Sequence, residues 1–435
     1  MRLLAQWLCG LTALGLLFLS SWIVLPPFNF FWLQLAVGAP EVSPILGGAS
    51  MIVFAISLWV FRAPSRFLPR LLRVVLLVSL LLSSLPLLQQ TMAVSRANRS
   101  MVNAFPSARL SGHRASGHHL SGHRLSGHRL SGHRLSGHRA SFSWSAFFFG
   151  FSSKGVRHQS QVPFVIADGV ELAMDIYQPA ISQPAEARVA DVQAEGGASD
   201  HHPAVVMLYG GGWRTGDSSE NEAFGQFLAA RGYVVVAPEY RLTPDYQFPA
   251  QLEDVRTALS FVSEHADDYE IDRDRIGMVG WSAGAHLAML AGFQTDNPVA
   301  STIKSIVNYY GPVDLTDGYA NPPKPDPLDV QQVLIALLDG TPAERPDAYR
   351  EASPITYVTS AAPSTLPPTL LIYGGRDHIV EAKYGKHLYD QLLQSGQTAV
   401  WVKIPWAEHA FDKIFSGVSN QLALHFVERF LAQTL

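Results

Sequence analysis

The chain has 435 residues, of which 48% are hydrophobic and 16% charged, with a formal net charge of −4 and one cysteine, Cys9. A single cysteine excludes disulfide bonds within the chain, so cysteine content does not indicate whether the protein lies in an oxidising or a reducing compartment. Residues 1–150 contain 13 Lys and Arg but one acidic residue, Glu41, and all other acidic residues lie in 151–435. A basic, apolar first part and an acidic second part predict a membrane anchor that carries a globular domain.

The anchor is predicted over residues 1–92. Residues 3–25 are almost uninterrupted apolar sequence, long enough to cross a bilayer core of about 30 Å at about 1.5 Å per residue. Residues 45–61 and 74–92 are two further candidate spans, whereas 28–39 is apolar and aromatic but short, which is typical of an interfacial or re-entrant segment. A cleaved signal peptide would explain the first span but not the two that follow.

Arginines near the spans bear on orientation. Arg62, Arg66, Arg70 and Arg73 lie between the second and third spans, which is typical of a cytoplasmic loop. With three spans, the C-terminal domain then lies on the non-cytoplasmic side, although the arginines that begin with Arg96 favour the opposite orientation. We therefore expect a multi-pass integral membrane protein. Nucleic-acid binding is not expected, because the arginines flank the spans or lie in a linker that contains no folded nucleic-acid-binding domain.

Residues 93–150 form the predicted linker. Residues 111–140 are six pentads that begin Ser-Gly-His, and a period of five places their apolar residues on one face of neither a helix nor a strand. The pattern favours a flexible basic tether. Attraction to anionic lipid headgroups, stronger below about pH 6.5, and weak transition-metal capture remain alternatives. The aromatic residues at 142–151 are expected either to lie at the bilayer interface or to cap a site on the domain.

Residues 151–435 are predicted to form one α/β domain, and this length is ample for a single core. Apolar runs and helical patterns alternate along it, which predicts a mostly parallel sheet covered by helices on both faces, with active groups at the carboxyl ends of the strands. Strands are predicted at 205–208, 233–237, 276–279, 305–310, 369–373 and 399–404, and helices at 223–231, 251–265, 285–293, 383–395 and 421–433.

Three glycines at 210–212 directly follow the first of these strands. Glycines there allow backbone N–H groups to turn inward without obstruction by a Cβ, as an oxyanion hole requires. A lone glycine triplet is as often a flexible turn, but its place ahead of a nucleophile motif favours the functional interpretation. Gly211, Gly212 and Ala283 are the predicted donors.

The nucleophile motif is Gly-Trp-Ser-Ala-Gly at 280–284. Ser282 lies between a predicted strand and a predicted helix, where small neighbours permit the sharp turn that exposes a serine hydroxyl. The hydroxyl is a weak nucleophile that needs a base, and the N-terminus of the following helix stabilises the negative charge that develops.

An acid and a base follow in chain order. Asp377 follows the 369–373 strand and His409 follows the 399–404 strand, which gives the order Ser, Asp, His. His409 is predicted to take the proton from the serine, and Asp377 to hold its tautomer and stabilise its charged form. Asp314 and Asp412 are rival acids, of which Asp314 is interpreted as loop structure.

Two other histidines lie near these motifs. His286 is on the helix after the nucleophile, where packing or a backbone hydrogen bond is the expected role, and His378 adjoins the proposed acid. Residues 314–350 form a long segment that is expected to roof part of the pocket.

From about residue 162 onward the chain resembles the carboxylesterase branch of the α/β-hydrolases, including the hormone-sensitive-lipase-like and feruloyl-esterase-like groups. The resemblance implies hydrolysis of carboxylic esters through an acyl-enzyme, without a metal or organic cofactor. One departure is Tyr209, where these families usually have a histidine that braces the glycine loop. The matching segments are 168–179, 209–213, 239–242, 248–255, 280–288 and 352–358.

The sequence therefore predicts a membrane-tethered serine hydrolase, carboxylesterase- or lipase-like, with the triad Ser282, Asp377 and His409. Its expected partner is a small acyl ester, and nearness to the membrane favours a lipophilic one. Amidase or peptidase activity stays open because the same triad cleaves amides. A non-catalytic membrane scaffold with a hydrolase fold is a second alternative, which only Tyr209 favours.

Overall fold

The computed structural model describes residues 2–61, 67–106, 142–153, 155–180, 201–359 and 361–435. The pentads and the first arginines of the loop between the second and third spans lie outside the described residues. Four helices open the chain: α1 (Arg2–Ser21), α2 (Phe30–Glu41), α3 (Ser43–Val60) and α4 (Phe67–Ala104). By length and composition α1, α3 and α4 could each cross a membrane.

Serine hydroxyls join the three long helices to one another. The Ser20 hydroxyl of α1 lies 2.9 Å from the hydroxyls of both Ser79 and Ser83 on α4. Ser50 of α3 lies 2.9 Å from the same Ser79. Small side chains let helix backbones approach closely, and hydrogen bonds between them stabilise helix pairs in apolar surroundings.

Helix α4 continues beyond Met92, where the sequence predicted the linker to begin. Ala93, Val94, Ala97 and Met101 are buried in the core of the C-terminal domain. Their spacing forms one apolar stripe on the helix, and a stripe of this kind packs against a core. The same 38-residue helix therefore both packs among the other N-terminal helices and packs against the domain.

Two contacts fix the ends of the segment that carries the pentads. The Phe105 ring lies 6.0 Å from the Phe430 ring. Beyond the pentads, the Ser143 N–H donates to Gln421 at 2.8 Å, just before the short helix α5 (Trp144–Phe149). Both contacts are with one helix of the C-terminal domain, α14 (Val418–Thr434).

The C-terminal domain is built on an eight-stranded sheet in the order β1-β2-β4-β3-β5-β6-β7-β8. Strands β1 and β2 are antiparallel to their neighbours, and β3 to β8 run parallel. Parallel strands are buried on both faces, which is why they read as apolar runs. The strands are β1 (Val156–Ala167), β2 (Val170–Pro179), β3 (His202–Leu208), β4 (Val234–Pro238), β5 (Ile271–Trp281), β6 (Ile303–Tyr309), β7 (Thr369–Gly374) and β8 (Ala399–Ile404).

Helices on both faces of the sheet complete the domain, so the predicted mostly parallel α/β fold is confirmed. Neither β1 nor β2 was among the predicted strands, and the pattern of exposure along β1 does not alternate regularly. The main helices are α6 (Glu222–Ala229), α7 (Ala250–Glu264), α8 (Ala283–Phe293), α13 (Ala382–Gln394) and α14.

The long segment expected at 314–350 contains three short helices, α9 (Leu315–Ala320), α10 (Val330–Leu338) and α11 (Pro346–Glu351), and α12 (Ile355–Val358) follows it. Helix α10 lies against the glycine loop, because Val333 is 3.6 Å from the point where a Cβ on Gly212 would stand. The segment therefore borders the carboxyl ends of the strands.

A buried ion pair joins the end of β4 to α7. The Arg241 side chain is 6% exposed and that of Asp254 3% exposed, and the Arg241 Nε donates to both Asp254 oxygens at 3.1 and 2.9 Å. The Arg241 backbone N–H donates to the same carboxylate at 2.8 Å. Two further carboxylates, Asp168 and Glu253, reach the guanidinium from solvent, with side chains 70% and 59% exposed.

Replacing Asp254→Ala is expected to destabilise the domain by about 3–5 kcal/mol, because Arg241 would keep its buried charge without its buried partner. Thermal unfolding of the purified protein in detergent measures the effect. The matched control is Glu253→Ala, which removes an exposed partner of the same guanidinium and should cost at most about 1 kcal/mol. Equal losses in the two variants would contradict this account.

Candidate active site

Ser282 occupies a strained turn between β5 and α8. Its φ of +50° and ψ of −115° are rare for a residue with a side chain. The turn is possible because its two flanking glycines leave no room for a Cβ: one on Gly280 would lie 2.5 Å from the carbonyl of Gly284, and one on Gly284 would collide with the end of β3. Such a turn projects the serine hydroxyl above the end of the sheet.

Three predicted side chains meet at this turn. The His409 Nε2 lies 3.1 Å from the Ser282 Oγ, and the His409 Nδ1 lies 2.8 Å from the Asp377 Oδ2. The other Asp377 oxygen accepts the backbone N–H groups of Ile379 at 2.8 Å and Val380 at 2.7 Å. The carboxylate is thus held in one orientation toward the imidazole.

The loops that carry Asp377 and His409 are hydrogen-bonded to each other. The Gly375 N–H donates to the Ile404 carbonyl at 2.7 Å, and the Arg376 N–H donates to the Ala407 carbonyl at 3.0 Å. This contact needs glycine, because a Cβ on Gly375 would lie 2.6 Å from the backbone of the opposite loop. Gly374, which ends β7, and Gly375, which follows it, therefore let the two loops approach each other closely.

Opposing effects set the pKa of His409. Burial alone would lower it, but the charge and hydrogen bond of Asp377, with further contributions from Glu408 and Asp412, raise the pKa above its ordinary value. The surroundings thus stabilise the imidazolium that forms when the ring accepts a proton.

The two rival acids do not contact His409 by a hydrogen bond in the described structure. Asp314 caps α9, where its side chain accepts the Asp317 N–H at 2.9 Å. Asp412 is buried, which raises its pKa, and it accepts the hydroxyl of Tyr310. The Tyr310 ring in turn packs on the imidazole of His409, with 4.4 Å between ring centroids.

The two nearby histidines have structural partners. His286 is fully buried, its Nε2 lies 2.6 Å from the Ala352 carbonyl, and burial lowers its pKa to about 4. This is the backbone hydrogen bond expected for it. The His378 Nδ1 lies 2.6 Å from a Glu408 oxygen.

Sequence reasoning missed Glu408. This buried carboxylate accepts the backbone N–H of His378 at 2.7 Å and that of His409 at 3.1 Å. It therefore joins the loop after β7, which carries Asp377 (the acid loop), to the loop after β8, which carries His409 (the base loop), a second time. The available signal was an acidic residue directly before the candidate base.

The three predicted oxyanion donors surround the serine turn. Gly211 has a φ of +121° and Gly212 a φ of +61°, and Ala283 is the first residue of α8. Across the described part of the chain, no acceptor receives the backbone N–H of Gly211, Gly212 or Ala283. The glycine loop lies close to the turn, since a Cβ on Gly210 would be 3.4 Å from that of Ser282.

Tyr209 braces the glycine loop by pairing with Tyr240. The two rings are stacked with centroids 4.3 Å apart. The Tyr240 hydroxyl donates to the Tyr209 carbonyl at 2.9 Å, and the Tyr209 hydroxyl lies 3.4 Å from both the N and the O of Tyr240. A tyrosine pair thus occupies the place where the resembling families have histidine, and the loop stays fixed.

Among the described residues, no group of three or more His, Cys, Asp or Glu side chains could hold a metal ion.

Known proteins resemble this chain over the C-terminal domain that carries these residues. The family model described as BD-FAE matches residues 190–392. The probable carboxylic ester hydrolase LipM of Mycobacterium tuberculosis (strain ATCC 25618 / H37Rv) is 30% identical over 246 residues, which is 53% of this chain and 54% of LipM. Esterase LipC of the same organism is 29% identical over 53% of this chain and 58% of LipC. The C-terminal domain has the α/β-hydrolase fold and is similar in sequence to proteins named as ester hydrolases.

A solved structure supports the fold of this hydrolase domain. Esterase B from Lactobacillus rhamnosis (HN001) superposes with a TM-score of 0.52 at 19% identity, covering 65% of this chain and 87% of that protein. The chain spans little more than half the length of the curated relatives that it matches.

The pH dependence of ester hydrolysis is expected to follow His409. Because only a neutral imidazole can accept the serine proton, kcat/KM should rise with pH through a midpoint above the ordinary histidine value of about 6.5. Asp377→Asn should lower kcat/KM by roughly 10³–10⁴-fold and move the midpoint to lower pH. Rates with p-nitrophenyl acetate across the pH range measure both effects.

The control is Asp314→Asn, which keeps a good helix cap and should retain wild-type kinetics. A large loss of kcat/KM in Asp314→Asn, with little loss in Asp377→Asn, would show that Asp377 is not the acid of the triad.

Proposed function

We propose that this protein is a membrane-anchored serine hydrolase that cleaves carboxylic esters through an acyl-enzyme intermediate. One observation carries the proposal: Ser282, His409 and Asp377 form a continuous hydrogen-bonded chain beside three backbone N–H groups without acceptors in the described structure. The relatives named as ester hydrolases support the same chemistry.

The proposed reaction has two halves. The Ser282 Oγ attacks the ester carbonyl while its proton passes to the His409 Nε2, and Asp377 stabilises the resulting imidazolium. Gly211, Gly212 and Ala283 donate hydrogen bonds to the oxyanion of the tetrahedral intermediate. His409 then returns the proton to the leaving alcohol. The same imidazole then deprotonates a water molecule that attacks the acyl-enzyme. The bond between the acyl carbon and the Ser282 Oγ breaks, the imidazolium returns the proton to that oxygen, and the carboxylic acid leaves.

We propose that residues 1–92 anchor the enzyme as a multi-pass membrane protein, with the domain at 151–435 on the non-cytoplasmic side. Three helices long and apolar enough to span support the anchoring. The intervening residues 93–150 then combine the end of α4, the pentads and α5.

The proposed substrate is a small acyl ester of lipophilic character. Support comes from the aromatic helix α5, whose Trp144, Phe148 and Phe149 side chains are 54%, 58% and 87% exposed. Exposed aromatic side chains of this kind favour the interface between water and lipid. The Ser416 hydroxyl donates to the Phe147 carbonyl at 3.4 Å, so α5 lies beside the segment that follows His409.

A fluorophosphonate probe is expected to label the protein at Ser282, because the activated hydroxyl attacks phosphorus as it attacks a carbonyl. Ser282→Ala should abolish labelling and lower kcat by at least about 10³-fold without changing the unfolding temperature. Gel detection of the probe and mass spectrometry of the modified peptide give the readout. A folded wild-type protein that neither reacts with the probe nor hydrolyses any ester would refute the proposed function and favour the non-catalytic scaffold.

A series of p-nitrophenyl esters tests the substrate class. We expect kcat/KM to increase with acyl chain length beyond acetate, since each buried methylene contributes up to about 0.8 kcal/mol, and to exceed that for a matched p-nitroanilide. Initial rates in detergent micelles measure the series. A preference for the anilide would replace the esterase assignment by an amidase or peptidase.

A further inference from the structure

Glu41 is the single acidic residue in the sequence from 1 to 150, and it is buried against the hydrolase domain. It ends α2 and is 0% exposed. One of its oxygens accepts the Ser419 backbone N–H at 2.8 Å, and the other accepts the Ser419 hydroxyl. The contact joins the membrane region to the start of α14.

The hydrogen bonds continue from Ser419 to the loop of the proposed base. The Trp406 Nε1 donates to the Ser419 Oγ at 2.9 Å. Trp406 is 2% exposed and lies three positions before His409 in the loop after β8. A chain of buried hydrogen bonds thus runs from Glu41 through Ser419 and Trp406 to the loop that carries the imidazole.

The fit around Glu41 is close. A Cβ on Gly417 would collide with a Glu41 carboxyl oxygen and lie 2.9 Å from the Glu41 Cβ. Burial raises the pKa of Glu41 to about 8, while the bonds from Ser419 act to lower it. The raised pKa favours the neutral carboxyl group, and an amide of the same shape can make similar bonds.

The acid loop has its own bond to the membrane region. The Arg376 Nη2 donates to the Val24 carbonyl at 2.6 Å, and Val24 lies just after α1. Arg376 directly precedes Asp377, and its backbone N–H also binds the base loop. The acid loop therefore bonds directly to the segment after α1, and the base loop is linked to α2 through Ser419.

We infer that Glu41 and Arg376 are positioning residues through which the membrane region fixes the loops of His409 and Asp377. The inference rests on the proposed function, because it concerns the same site. An apolar contact would join the two parts without the desolvation of a carboxyl group, whereas directional hydrogen bonds fix one relative placement. The membrane helices are then part of the catalytic framework as well as an anchor.

The test compares variants of the full chain in detergent or nanodiscs. Glu41→Ala and Ser419→Ala each break the hydrogen-bonded chain, and Ser419→Ala does so by removing one hydroxyl. Arg376→Met removes the bond to Val24, while Arg376→Lys can keep it. Glu41→Gln is the conservative variant. Ser50→Ala is the matched control, because it removes a buried hydroxyl that joins two membrane helices and contacts no part of the hydrolase domain.

For p-nitrophenyl acetate, kcat is measured per active site titrated with fluorophosphonate, so that unfolded protein is not counted. Small misplacements of reacting groups cost up to about 10²-fold in rate. We expect Glu41→Ala, Ser419→Ala and Arg376→Met to lower kcat by roughly 10-fold or more with KM within about twofold. Glu41→Gln and Arg376→Lys should recover most of that loss, and Ser50→Ala should match the wild type.

The opposite result is equally clear. If Glu41→Ala, Ser419→Ala and Arg376→Met keep the wild-type kcat per titrated site and lose only thermal stability, the contact merely joins the two parts and the inference is overturned. The proposed function would survive that result, because the wild type would still hydrolyse the ester. Failure of the wild type itself to react would instead refute the proposed function.

Discussion

The hydrogen bond between Asp377 and His409 is the interaction on which the proposed chemistry depends. Strands β7 and β8 are adjacent and parallel, so the loops that follow them lie side by side at the carboxyl edge of the sheet. Neighbouring loops still need a close and fixed approach before two side chains meet at 2.8 Å. Gly375 allows that approach and Glu408 bonds to the backbone of both loops, so much of the local sequence serves this one contact.

The sequence predicted those parts of the molecule that depend on local pattern. The buried strands read as apolar runs, and the serine turn was recognisable because Gly280 and Gly284 flank it. The acid and the base could be chosen because chain order along a parallel sheet fixes which strand ends are neighbours. The fold and the choice of Ser282, Asp377 and His409 therefore followed from short-range signals combined with one topological rule.

Contacts between distant segments could not be predicted in this way. Tyr209 stacks on Tyr240 and holds the glycine loop where the resembling families have histidine, yet neither residue alone indicates the stack. Glu41 stood out only as a lone acid, and its partner Ser419 lies 378 positions away. The extension of α4 past Met92 was missed because its second half packs against the C-terminal domain, so its composition is less apolar than that of the first half although the helix continues.

The ends of the pentad segment bear on what the repeat can do. Phe105 and Ser143 both contact α14, while α4 itself joins the other N-terminal helices to the C-terminal domain. Both ends of the segment that carries the repeat therefore contact the C-terminal domain, and α4 links that domain to the other N-terminal helices without the repeat. Adding or deleting pentads is then expected to leave the placement of Ser282 relative to the N-terminal helices unchanged, at a loop-closure cost that grows only logarithmically with length. A segment attached in this way can differ in length without changing the contacts between α4 and the C-terminal domain.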